Sequence, residues 1–323
     1  MSAILGIDAA WTAHHPSGVA LIRQTESGRW ESVRVSCSYE GFIGYSPERK
    51  HKIVADNVPI AALLETARGF AQTDVRLIVA DIPLAMGPIH GRRYADDKIS
   101  KLFGGKGCSA HSPSSIRPGL ISEEIRDSFW RAGFSLATNR SNLSDHALIE
   151  TYPHPALLSL MNASYRAPYK VGKSKKYWPY LGQKERLSKV RESLEKILAA
   201  LSLVISGIDL VVPESPQGFS SLKSVEDKID ALVCAWIGIQ VLEDKAMPIG
   251  DDEASIWLPA DSLSSAWSKD RASYLASGPV ASGEFMEEVE DLPVQERSPG
   301  ESADKADSEA QSAKSIPQGL KPE

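Results

Sequence analysis

Apolar and polar residues alternate along the chain in a pattern that predicts five strands. Residues 3–8 are apolar and end in a carboxylate, residues 18–23 are mostly apolar, and residues 30–37 alternate. Residues 75–81 form a near-continuous apolar run, which is typical of a buried parallel strand. Residues 147–152 have the composition of one more strand, and Pro153 ends it.

Helical spacing of apolar residues predicts three helices, over residues 51–71, 183–203 and 225–242. The last is apolar nearly all round, which predicts that it is buried against the sheet. Residues 86–143 are irregular and rich in Gly, Ser and Pro, with one further helix predicted near residues 122–132, and we interpret them as an insertion over one end of the sheet. The pattern therefore predicts one α/β domain over residues 1–260.

Charge and composition change after this domain. The chain of 323 residues has a net charge of −6, and residues 271–323 alone account for it, so the body is neutral. A neutral body gives no support to a strongly basic nucleic-acid binder, and it does not exclude an anionic substrate. Because residues 261–323 are rich in Ser, Ala, Glu and Asp, we predict a disordered acidic tail there.

Cysteine usage and hydropathy bear on location. The chain has three cysteines, far apart and without CxxC spacing, which is typical of reduced thiols in the cytosol. No basic leader with an apolar stretch opens the sequence, and no apolar run approaches the length of a membrane span. We therefore expect a cytoplasmic protein without a membrane partner.

Four acidic residues stand where strands or a buried helix could bring them together. Asp8 ends the first predicted strand and Asp81 ends the fourth, while Asp227 and Asp230 lie three apart near the start of the last helix. Ligands of open α/β sheets bind outside the carboxyl ends of the strands. Each Asp alone could be a turn or cap residue, and Asp227 could simply favour the helix dipole. As a set they favour a site.

Clustered carboxylates repel one another, and a divalent cation removes that conflict. Oxygen ligands select Mg²⁺ or Mn²⁺, and no cluster of His and Cys in the sequence competes with them. We expect two metal ions, with Asp8 bridging them and Asp81 and Asp230 holding one each. Paired metals of this kind hydrolyse phosphodiesters.

Several segments, taken in order, resemble a known family. They are GIDAAW with GVAL, then ADIPLA, ETYPHPAL, DKIDALVCAWIG and IWLP. This order is similar to that of an RNase H-fold family called domain of unknown function 429, which is predicted to contain nucleases. The resemblance implies an RNase H-like fold, a mixed five-stranded sheet of three antiparallel strands followed by parallel ones, flanked by helices.

The resemblance also implies site residues. It places Asp8, Asp81 and Asp230 where such enzymes keep metal ligands, with Asp227 close by. Glu150 matches a further carboxylate, which is either a ligand or a group behind the ligands. The activity of this family is inferred from its fold, and a fold alone does not establish a function.

Two basic residues are candidate contacts to substrate phosphates. Arg93 matches an Arg-x-x-Asp pattern of the family with Asp96, and a structural Arg–Asp pair explains the pattern equally well. Lys170 follows Tyr169 in a segment, residues 166–191, with nine basic residues and interleaved aromatics. That composition suits a nucleic-acid backbone and unstacked bases, and it also suits a solvated loop.

We therefore predict a metal-dependent nuclease or phosphodiesterase that acts on nucleic acid. Its predicted catalytic residues are Asp8, Asp81, Asp230, Asp227 and Glu150, and its predicted metal ligands are Asp8, Asp81 and Asp230. One alternative is a binding module that keeps the fold without catalysis. Another is a nucleotide-binding protein of the actin and sugar-kinase type, which ranks lower because the sequence lacks a second Gly-rich phosphate loop.

Overall fold

The computed structural model describes residues 2–12, 15–44, 60–214, 216 and 218–264. The start of the predicted helix over residues 51–71 lies outside these ranges. So does most of the predicted acidic tail, because only residues 261–264 are described and they end a short helix. The disorder of the tail therefore stays a prediction.

The described residues form an α/β structure. Its strands are β1 (Ala3–Asp8), β2 (Gly18–Gln24), β3 (Trp30–Ser36), β4 (Val75–Ala80), β5 (Ser135–Leu136), β6 (Ala147–Thr151), β7 (Ile205–Ser206), β8 (Ala246–Gly250) and β9 (Ser255–Pro259). Its helices are α1 (Tyr39–Ile43), α2 (Ile60–Ala71), α3 (Tyr94–Phe103), α4 (Leu120–Arg131), α5 (Pro153–Leu160), α6 (Ser174–Tyr177), α7 (Gln183–Ser202), α8 (Phe219–Leu242) and α9 (Ala260–Ser264). None of the described helices combines the length and apolar character that a bilayer crossing needs.

One mixed sheet contains all of these strands. Its order is β7-β3-β2-β1-β4-β6-β9-β8, and β5 pairs with β6 beside this path. The strands β1, β2 and β3 are antiparallel, whereas β4 runs parallel to β1, and β6 runs parallel to β4. The five strands predicted from the sequence are therefore present, with three antiparallel strands followed by parallel ones, as the family resemblance implied.

The predicted number of strands was too low, since the described residues alone form a sheet of nine strands and not five. Two of the additional strands, β5 and β7, are two residues long, which is too short to leave a periodic pattern. A third, β8, contains Pro248 and lies at the edge of the sheet, where proline is tolerated. The predicted insertion, residues 86–143, contains α3 and α4, and its strand β5 joins the sheet.

Helices cover both faces of the sheet. The helices α5, α7 and α8 contribute to the larger apolar core on one face, while α1, α2 and α4 contribute to the core on the other. Helix α8 lies between β1 and β2 on one side and α7 and α5 on the other. This position explains why its sequence is apolar nearly all round.

Two glycines let α8 approach the sheet more closely than any other residue would. A Cβ built on Gly6 of β1 would lie 2.2 Å from the carbonyl oxygen of Ala231 and 2.5 Å from the backbone nitrogen of Ala235. A Cβ on Gly18 of β2 would lie 2.1 Å from the carbonyl oxygen of Asp227. Because backbone atoms cannot yield as a flexible side chain does, both strand positions require glycine.

We predict that Gly6→Ala destabilises the fold by about 1–3 kcal/mol or more, since the added methyl group forces α8 away from β1. Chemical denaturation measures this free energy of unfolding. The control is Gly69→Ala in α2, where a Cβ would meet nothing within 4 Å. There the change should be neutral or stabilising by up to about 1 kcal/mol. Equal stability of the two variants would contradict the close packing of α8 on the sheet.

Candidate active site

Asp8 and Asp81 leave adjacent parallel strands at the same edge of the sheet. Ile7 of β1 lies opposite Ala80 of β4, and the backbone nitrogen of Asp81 donates to the carbonyl oxygen of Ile7 at 2.8 Å. Side chains alternate between the two faces of a strand, so residues two apart share a face. Asp8 therefore shares the face of Gly6 and Asp81 shares the face of Val79, which is the face that α8 covers. Both residues are intermediate between buried and exposed.

Helix α8, which packs on this face of the sheet, carries two of the predicted carboxylates, Asp227 and Asp230. Gly18 pairs with Asp8 across β1 and β2, and it lies directly against the backbone of Asp227. Asp230 follows one turn later and is completely buried, whereas Asp227 is 5% exposed. The close packing at the glycines therefore brings Asp227 and Asp230 toward Asp8 and Asp81.

Lys170 and Tyr169 hold the carboxylate of Asp230. The hydroxyl of Tyr169 donates to Oδ1 of Asp230 at 2.6 Å, and Nζ of Lys170 donates to Oδ2 at 2.6 Å. Burial is the largest single effect and lowers the pKa of Lys170, but Asp230 and the neighbouring acidic groups together raise the pKa well above its ordinary value. Lys170 is therefore charged, and it lies inside the acidic cluster.

Glu226 is a fifth carboxylate at this site, and the sequence analysis did not identify it. Its Oε2 accepts from the backbone nitrogen of Val171 at 2.6 Å, and its Oε1 accepts from Lys223 at 2.7 Å. Burial would raise the pKa of Glu226, but Lys170 and Lys223 lower it below the ordinary value. The spacing of four residues between Glu226 and Asp230 is the signal that could have revealed it.

Three other carboxyl groups of the cluster have raised pKa values. Burial, followed by the negative charge of Asp230, raises the pKa of Asp8 well above its ordinary range, although the positive charge of Lys170 opposes this rise. Burial raises the pKa of Asp81 to about 7, and burial raises the pKa of Asp227 to about 6 in spite of its ion pair with Lys223. These groups carry negative charge only at a cost to the fold.

Glu150 belongs to a separate network behind the site. Ala147 and Ile149 of β6 pack on the α8 side of the sheet and Leu148 packs on the other, so alternation directs Glu150 to the side of Leu148. There its oxygens accept from Arg93 at 2.6 and 2.7 Å. Burial raises the pKa of Glu150 to about 7 although Arg93 opposes this effect.

Arg93 uses all of its side-chain donors inside the protein. Besides Glu150, the guanidinium group donates to Asp96 at 2.7 and 3.0 Å and to the carbonyl oxygen of Leu84 at 2.6 Å. Its side chain is 8% exposed. In this arrangement Arg93 presents no donor to a substrate phosphate, and the Arg–Asp pair that the sequence left open is present.

The predicted metal ligands meet at one edge of the sheet, but they do not form a three-carboxylate site. Among residues 2–12, 15–44, 60–214, 216 and 218–264, no group of three or more His, Cys, Asp or Glu side chains is arranged to hold a metal ion. Asp230 is turned toward Tyr169 and Lys170. Asp8 and Asp81 remain as neighbouring oxygen donors, and Mg²⁺ commonly binds through one or two carboxylates together with water.

The basic and aromatic segment, residues 166–191, has two different parts. Tyr169 is completely buried and Lys170 faces α8, so these residues build the site. In contrast Tyr180 is 98% exposed, and Lys175 and Lys176 are exposed beside it in the chain. Only the second part has the exposed aromatic and cationic groups that contact single-stranded nucleic acid in other proteins.

The chain belongs to the family described as Protein of unknown function (DUF429), whose family model matches residues 6–254. No curated protein matches it significantly. Among solved structures, the yeast mitochondrial Holliday junction resolvase aligns at 9% sequence identity with a TM-score of 0.33. That alignment covers 75% of this chain and 82% of the resolvase chain.

We predict that Asp81→Asn stabilises the metal-free protein at pH 8 by roughly 1–4 kcal/mol. Because the pKa of Asp81 is raised from 3.8 to about 7, the unfolded chain loses its proton first as the pH rises. The contribution of Asp81 to the free energy of unfolding of the wild type therefore falls between about pH 4 and pH 7 and is constant at higher pH. Denaturation in EDTA across this pH range should show the variant and wild type converging toward pH 4.

The control for this pH series is Asp74→Asn, at an exposed carboxylate whose side chain is 72% accessible. It should change stability by less than about 1 kcal/mol throughout. A difference between Asp81→Asn and wild type that does not depend on pH would contradict the assigned pKa of Asp81.

We predict that Arg93→Gln destabilises the fold by about 3–5 kcal/mol, because it leaves the buried Glu150 and Asp96 without their shared cation. The matched control is Arg76→Gln, which breaks an exposed pair with Asp145 and should cost less than about 1 kcal/mol. Thermal unfolding of both variants measures the difference. Wild-type stability of Arg93→Gln would show that the network is dispensable.

Proposed function

We propose that this protein is a divalent-metal-dependent nuclease or phosphodiesterase that acts on nucleic acid. One observation carries the proposal. Asp8 and Asp81 stand side by side at the carboxyl edge of an RNase H-like sheet, and burial and neighbouring carboxylates raise the pKa of both. A cation between these oxygens would relieve the repulsion that the fold otherwise has to support.

The donor set fits Mg²⁺ or Mn²⁺, since Asp8 and Asp81 offer hard carboxylate oxygens. When bound, such a cation activates a water molecule and stabilises the leaving oxygen of a phosphodiester. Asp8 and Asp81 are both partly exposed, as access of a substrate to them requires.

Each side chain of the cluster then has its own task. Asp8 and Asp81 hold the cation, and Asp227 adds negative charge behind it. Lys170 supplies a positive charge close to the place of the scissile phosphate, with a side chain that is 20% exposed. Tyr169 and Glu226 are positioning residues, because they hold Asp230 and the backbone beside Lys170.

We predict that the purified protein cleaves at least one substrate in a panel of single-stranded, duplex and branched DNA and RNA with Mg²⁺ or Mn²⁺. Asp8→Asn and Asp81→Asn should each lower the rate at least about 100-fold, because a neutral amide binds the cation poorly. Gel assays of labelled substrates measure the rates.

The control is Asp145→Asn, at a carboxylate with 79% side-chain exposure that pairs with Arg76 on the surface. It should retain the wild-type rate. Cleavage that persists in Asp8→Asn, or that survives an excess of EDTA, would overturn the proposal.

A binding module without catalysis is the second candidate. The pair between Lys170 and Asp230 favours it, because this pair already compensates the most deeply buried carboxylate without a metal. Tight binding of nucleic acid without cleavage of any substrate in the same panel would favour this candidate over the enzyme.

A further inference from the structure

We propose that the candidate active site takes one divalent cation, held by Asp8 and Asp81, and that the ammonium group of Lys170 is its built-in second cation. The inference rests on the proposed function, because it specifies the charges of that same site. It departs from the two-metal arrangement expected from the sequence, in which Asp230 holds a metal ion of its own.

The contacts of Asp230 support this assignment first. Asp230 is completely buried, and each of its oxygens accepts a hydrogen bond of 2.6 Å, one from Tyr169 and one from Lys170. A charge-assisted bond of this length is strong. The place where a metal would bind Asp230 therefore already has a positive charge.

The backbone around Lys170 supports it as well. Three consecutive residues contact carboxylates of α8: the hydroxyl of Tyr169 and the ammonium of Lys170 bind Asp230, and the backbone nitrogen of Val171 donates to Glu226 at 2.6 Å. Nζ of Lys170 also lies 3.5 Å from Oε1 of Glu226. Displacing the ammonium group would disturb this whole set of buried contacts, so the lysine is a stable part of the site.

The positive charge of Lys170 also affects the other carboxylates of the site. Lys170 acts on Asp8 and Asp81 as well as on Asp230, because its charge opposes the rise in pKa of the first two. A second divalent ion on Asp230 would stand beside the ammonium group, and like charges at that distance in a buried site repel strongly. Among the described residues the ion pairs of Lys170 are with Glu226 and Asp230 and not with Asp8 or Asp81, so a cation on these two residues would meet weaker repulsion.

The test is the number of Mn²⁺ ions bound per chain, measured on the metal-free full-length protein by titration calorimetry and by electron paramagnetic resonance. We expect one ion, with the spectrum of an isolated Mn²⁺. Asp230→Asn should still bind one ion within about threefold of the wild-type affinity, because Asp230 is not a ligand. Asp8→Asn should lower that affinity at least about tenfold.

A second test removes the ammonium group that pairs with the carboxylate of Asp230. Lys170→Met should allow a second Mn²⁺ ion to bind, whereas Lys223→Met, which removes a neighbouring lysine that binds Glu226 and Asp227, should leave one. A folded Lys170→Met protein that still binds one ion would contradict the inference. If this variant does not fold, the wild-type count and Asp230→Asn decide.

The outcomes separate this inference from the proposed function. Two ions in the wild type, with the coupled spectrum of a pair about 3.5–4 Å apart, would overturn the inference and leave the nuclease proposal standing. The absence of any bound Mn²⁺ would overturn both. Loss of one of two ions in Asp230→Asn would restore Asp230 as a ligand and overturn the inference alone.

Discussion

The structure depends on the close contact between helix α8 and strands β1 and β2. Side chains at Gly6 or Gly18 would overlap backbone atoms of the helix, so the contact exists only because both positions lack a Cβ. The same contact sets the height of Asp227 and Asp230 above the edge of the sheet where Asp8 and Asp81 end their strands. Packing and the placement of charge are therefore one constraint in this protein.

The charges of the cluster fall into two groups. Asp230 and Glu226 are neutralised inside the protein by Lys170, Lys223 and nearby donors, so their negative charge is compatible with burial. Asp8 and Asp81 lack an ion pair of this kind among the contacts described, and the pKa of each is raised. A protein that served stability alone would replace such carboxylates, since uncompensated buried charge is costly. The cation proposed above would supply the positive charge that these two carboxylates lack.

The sequence predicted the central part of the fold because long apolar runs and one strongly apolar helix leave clear patterns. The strands β1 to β4 and β6, and the helix α7, have close to the predicted bounds, whereas α8 ends where predicted but begins at Phe219 and not at residue 225. The two-residue strands and the proline-containing edge strand β8 leave no such pattern, so the width of the sheet was underestimated. Gly6 and Gly18 are visible in the sequence, but only the position of α8 against β1 and β2 shows why glycine is needed at both.

The candidate site was predictable to a similar degree. Residues at the ends of strands could be grouped, because parallel strands end at one edge of a sheet, and Asp8 and Asp81 are adjacent there. The partners of Asp230 could not be derived in this way, because Lys170 lies sixty residues from it in the chain. For the same reason the ion pair of Arg93 with the distant Glu150 could not be derived from the sequence.

The most direct test of the central claim is a crystal of the protein grown or soaked with Mn²⁺, with data collected at a wavelength where manganese scatters anomalously. The account predicts an anomalous peak in direct coordination with carboxylate oxygens of both Asp8 and Asp81. Crystals saturated with Mn²⁺ that show no peak between these two residues would contradict it.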